Sequence, residues 1–125
     1  MPSAAQTYKS VARQTSSPRE LEASLLLQAA ARLQSVRDTW ADDFSGAVKA
    51  RLDEALLYNR KLWSIFLTSV MGPEHPLPVA IRQNVANLGL FVMNQSMSMM
   101  SNPRREQLES LININRELAA GLLGR

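Results

Sequence analysis

The sequence predicts an all-α protein, a small bundle of four long helices plus a short N-terminal helix or arm. Three observations predict it. Apolar residues recur at three- and four-residue spacings along most of the chain, and no alternating strand pattern occurs. Good helix formers fill the stretches between breaks made of Pro, Gly, Ser and Asn. The 125 residues, 46% hydrophobic, suit one domain spanning 1–125, with residues 1–16 loosely attached.

The elements follow in order. Residues 4–14 are read as a short helix or arm. Ser17-Pro18-Arg19-Glu20 then combines a capping hydroxyl, Pro at the first helical position and Glu at the third. It opens a helix expected to reach Trp40, with Leu25, Leu26, Ala29, Leu33, Val36 and Trp40 on its core face. "ADDFSGA" (41–47) is a break, in which Asp42 and Asp43 favour the start of the next helix electrostatically. The second helix is expected over 48–70. Leu52, Leu56, Asn59, Trp63, Phe66 and Val70 form a heptad-like seam along it. The three prolines between Gly72 and Pro78 forbid helix continuation, and Pro78 opens a third helix reaching Ser101. Asn102-Pro103 precedes the fourth, which ends near Gly121 or Gly124 and carries Leu108, Leu111, Asn115, Leu118 and Leu122 inward.

Two features stand out from this frame. Asn59, Asn84, Gln95 and Asn115 each fall inside an apolar stripe, on three of the helices. They are read as a buried polar layer that fixes helix register, with a socket for a partner as the alternative. Of the neighbours of Asn59, Lys61 points to water, and Arg60 and Tyr58 sit on opposite margins. The third helix is the other feature: residues 83–103 carry no charge. Ile81, Val85, Leu88, Phe91, Val92 and Met99 form one stripe, while Val79, Ala86, Leu90, Met93, Met97 and Met100 make the other side apolar too. A helix apolar all round is either central in its bundle or covered by a partner. Met suits surfaces that accept varied apolar partners. The partner-binding candidates are therefore Leu90, Met93, Met97 and Met100 as anchors and Gln83, Asn87 and Asn94 at the edge. Tyr58 and Arg60 frame a neighbouring groove.

Composition excludes several classes. With no Cys there is no disulfide, zinc–thiolate site or thiol nucleophile. The lone His75 sits in the Pro-rich loop. No metal-ligand spacing, phosphate loop or catalytic set occurs, so neither enzyme activity nor a cofactor is expected. The net charge is +3 and the arginines are scattered, which argues against a nucleic-acid face. No signal peptide and no apolar run of ~20 residues is visible, so a soluble cytoplasmic protein is expected.

Four stretches, "SPRELEASLLLQAAARL", "LDEALLYNRKLWSIFL", "LPVAIRQNVANLGLFV" and "LININRELAAGL", together resemble the FlaF family of alphaproteobacterial flagellar biosynthesis proteins. The ordered pair "LYNRKLW" and "IRQNVANLGLFV" carries most of the likeness. The resemblance implies a cytoplasmic, non-enzymatic protein that binds flagellin as an export chaperone and couples to regulation of flagellin synthesis. The regulator FlbT is the implied second partner. A competing implication is post-transcriptional control of flagellin mRNA, with FlbT or on RNA. A homodimer burying the Met face is a third reading. In the chaperone reading, a small bundle with spare apolar helix surface caps a helical flagellin terminus before export.

Overall fold

The computed structural model describes residues 3, 4, 6, 17–40 and 46–124. Among these residues the chain is helical, without strands. The four long helices are α1 (Pro18–Asp38), α2 (Gly46–Val70), α3 (Val79–Ser101) and α4 (Arg105–Leu122). Each lies within two residues of its expected bounds, the ordinary scatter of helix ends. The start of α1 follows the capping logic: the Glu20 amide donates to Ser17 Oγ at 3.2 Å. Pro78 is the residue before α3 rather than its first turn, and Arg104 holds that place for α4. Of the N-terminal segment, Ala4 and Gln6 are helical and Ala4 is buried. The remainder of that segment lies outside the described residues. So do Asp42 and Asp43.

Helix adjacency runs as a ring. α1 packs most extensively on α4 and next on α2, and α3 packs on α2 and only lightly on α4. The pairs α1/α3 and α2/α4 are diagonal. α3 runs antiparallel to α2, because the later α2 residue, Leu67, meets Gly89 while the earlier one, Arg60, meets Met100.

The α2 seam is buried at all six positions. Trp63 is its largest member and packs edge-on against Phe66, with ring centroids 5.5 Å apart. An indole of this kind removes ~150–250 Å² from water, worth about 4–6 kcal/mol. On α1, Leu25, Leu26, Ala29, Leu33 and Val36 are buried as expected, while Trp40 follows the helix end and is half-buried. On α4 the buried face is shifted slightly toward Ile112 and Ala119, and Leu118 is half-buried.

Polar struts tie the ring together. Arg37 at the end of α1 reaches Glu109 on α4 at 3.1 Å and Asp38 at 3.0 Å. The hydrogen bond that Arg37 Nε donates to Asp38 holds the guanidinium pKa above its ordinary value, with smaller support from Glu109. Arg116 on α4 also bonds Gln34 on α1.

The Pro-rich loop is anchored by a pair that hydropathy alone does not announce. The side chains of Glu22 and His75 are both nearly inaccessible, and His75 Nε2 lies 2.8 and 3.0 Å from the two carboxylate oxygens. The Leu77 amide donates to Nδ1 at 3.3 Å, so the ring proton sits on Nε2 and is donated to Glu22. Ser69 Oγ also donates to Glu22, at 3.4 Å. The hydroxyl faces the carboxylate rather than the imidazole, so this trio is a strut between α1, α2 and the loop, not a nucleophile with its base. Glu22 stands three and four residues before Leu25 and Leu26, in the α1 core stripe. That register was the signal available in the sequence.

Candidate functional site

Asn59 and Asn115 meet across the diagonal between α2 and α4. The bonding has one possible sense. An indole N–H can only donate, so the Asn115 oxygen faces Trp63 Nε1, at 2.9 Å. The Asn115 amide nitrogen must then face Asn59 and donates to its Oδ1 at 2.7 Å. That leaves Asn59 Nδ2 buried with no acceptor among the described residues. The chain Trp63–Asn115–Asn59 is therefore saturated at one end and open at the other.

The polar layer is smaller than its sequence reading. Asn84 is exposed and Gln95 is half-buried, and neither reaches the Asn59–Asn115 pair. On α3 both positions fall ~80–100° from the centre of the buried stripe, by the 100° step of the helix. They face the side toward α4, where the two helices barely touch. Gln95 Oε1 there accepts from Gln107 Nε2 at 3.1 Å. Two helices, not three, supply the layer.

α3 buries only Val85, Gly89, Val92, Ser96 and Met99. Ile81 and Phe91, placed inward by their spacing, are exposed. The reason is the ring itself. α3 leans on α2, has little of α4 and none of α1, so its buried arc is narrow. Gly89 sets the close approach: a Cβ there would stand 2.6 Å from Leu67 Cδ1. Ser96 is buried harmlessly, its hydroxyl returned to the Val92 carbonyl at 2.7 Å.

What remains outside is mostly apolar. Leu90 is 65% exposed and Met97 62%, with Met100 and Val79 also exposed and Met93 half-buried against the core. Gln83, Asn87 and Asn94 are exposed between them, and Gln83 Nε2 lies 3.4 Å from Asn87 Oδ1. Met93 and Met97 form one wall of a groove of about 290 Å³ against α2, whose wall is Leu57, Arg60, Lys61 and Ser64. Arg60 Nη1 lies 3.4 Å from Met100 Sδ, which places the guanidinium at the groove's end.

Tyr58 belongs elsewhere. Its ring is buried on the α1 side of α2, under the Arg32 guanidinium at 3.9 Å, and it borders a hollow shared with Ser3 and Ala4. It does not frame the α3 groove. Leu57, exposed and one residue earlier, takes that position and was not singled out by its spacing.

The chain matches the family described as flagellar protein FlaF over residues 4–122, which spans all four helices. It belongs to the FlaF family. No curated protein and no solved structure matches it. Membership in FlaF makes this a flagellar biosynthesis protein. Among the described residues, no three His, Asp or Glu side chains converge as a metal site. No helix among them is long and apolar enough to cross a membrane.

Proposed function

We propose that this FlaF protein binds flagellin in the cytoplasm as an export chaperone and, through that binding, couples export to flagellin synthesis, with FlbT as a second partner. The observation that carries the reading is the uncovered apolar face of α3. Leu90, Met97 and Met100 stand in water on a helix without a charge over residues 83–103. Apolar surface of this kind on a small protein marks an interaction face. A helical flagellin terminus, apolar along one side, is the occupant that suits both the face and the family. Such a helix docks by inserting anchors at helical spacing. Gln83, Asn87 and Asn94 supply hydrogen bonds at the rim, and Met93, Met97 and Met100 adapt to the anchor shapes.

The test is co-purification of the full chain with full-length flagellin and with flagellin lacking either terminal helix. Leu90→Glu and Met97→Glu introduce charge where the side chains are mostly exposed, so the fold persists while binding is lost. Undiminished capture by both variants refutes this placement of the site.

A further inference from the structure

The α3 groove is apolar on one side only. Between Gln83 and Pro103, α3 contributes no charge. All the charge at the groove comes from α2, through Arg60 and Lys61, and it is positive. Neither cation has a carboxylate within ion-pair distance among the described residues; Arg60 instead rests on a thioether. Glu54, which borders a hollow with Lys61, opens toward α1 and Tyr58 rather than toward α3. Two cations beside an apolar trough whose lining holds no carboxylate are half of a complementary pair.

Resting on the docking reading above, we propose that the helix received by this groove is amphipathic with an acidic edge. Its apolar stripe lies on Leu57, Met93 and Met97, and Asp or Glu side chains along one edge face Arg60 and Lys61. Its opposite edge, over Leu90 and Asn94, is uncharged. This asymmetry also fixes direction. A helix with its apolar face down and carboxylates on one edge only can turn those carboxylates toward α2 in just one N-to-C sense. The Met wall tolerates many anchors, whereas the cationic wall selects the helix and its polarity.

The experiment measures association and dissociation of the full chain with purified flagellin at low and high salt. It uses wild type, Arg60→Gln/Lys61→Gln, Arg60→Glu/Lys61→Glu and Met97→Glu, each checked for helicity and melting temperature. Wild-type association is expected to slow steeply with salt. The charge-reversed variant should associate about tenfold or more slowly at low salt, with the neutral variant between, and the differences should collapse as salt screens them. Replacing carboxylates on one edge of the flagellin helix with Lys should restore binding to the reversed variant and weaken wild type. If Met97→Glu abolishes binding while both Arg60/Lys61 variants match wild type at every salt, the acidic-edge proposal falls and the docking reading stands. If Met97→Glu binds normally, the docking reading falls and takes the proposal with it. Should the reversed variant fail to fold, the neutral variant decides alone: unchanged salt dependence overturns the proposal.

Discussion

Asn115 and Asn59 share one hydrogen bond yet should respond very differently to the same substitution. Replacing Asn115 with Leu keeps the shape but removes both of its bonds. It strands Trp63 Nε1 and Asn59 Oδ1 in the core. Two stranded polar groups cost about 1–3 kcal/mol each, partly offset by the apolar gain of a buried Leu, for a net loss of about 2–4 kcal/mol. Asn59→Leu loses one bond and strands Asn115 Nδ2. It also removes Asn59 Nδ2, which already lacks an acceptor among the described residues. One stranded donor is exchanged for another, and the apolar gain offsets the lost bond, so stability should stay within about 1 kcal/mol of wild type. The double variant leaves only the indole N–H stranded, so Asn59→Leu should partly rescue Asn115→Leu. Urea denaturation followed by circular dichroism reads all four proteins, with an unchanged m-value confirming comparable unfolded states. Equal damage from the two single variants, or no rescue in the double, refutes the directed Trp63–Asn115–Asn59 chain.

Other expected outcomes follow from the same geometry. His75→Ala removes the main hydrogen-bond donor to the buried Glu22 side chain and should destabilise by about 2–3 kcal/mol, whereas Glu22→Gln, which still accepts from Nε2, should be milder; thermal melts compare them. Gly89→Ala should be nearly neutral, because the flexible end of Leu67 yields and helix propensity returns about 1 kcal/mol. Gly89→Leu should push α3 off α2 and cost about 1–3 kcal/mol by overpacking, read by denaturation. Ser17→Ala should cost about 1 kcal/mol through loss of the α1 cap, read the same way.

The helices were legible because their punctuation is chemical. Ser17-Pro18 and the Gly72–Pro78 loop act through local dihedrals and capping, which need no tertiary context. The α2 seam was legible because a 4-3-4-3-4 spacing allows one inward face. α3 was not legible in the same way. Apolar residues surround it, so periodicity gave no unique buried arc, and only the ring order exposes Ile81 and Phe91 while burying Met99. The exposure of Asn84 has that origin too. Tyr58 was misplaced for a related reason: its margin was right, but which neighbour occupies that margin is a property of topology. The Asn59–Asn115 contact joins residues 56 positions apart. Spacing alone suggested both were inward, and donor–acceptor inventory explains why they meet in that sense.

The light attachment of α3 has a consequence for cooperativity. α1, α2 and α4 share the indole, the amide pair and most of the buried aliphatic side chains, while α3 enters the core at a few positions along one edge. Opening of α3 exposes little core surface, so its amides should exchange with solvent before those of the other three helices. A partner seated on α3 would close that weakest unit, and its binding would register as slowed exchange along 79–101 well before any change in global unfolding.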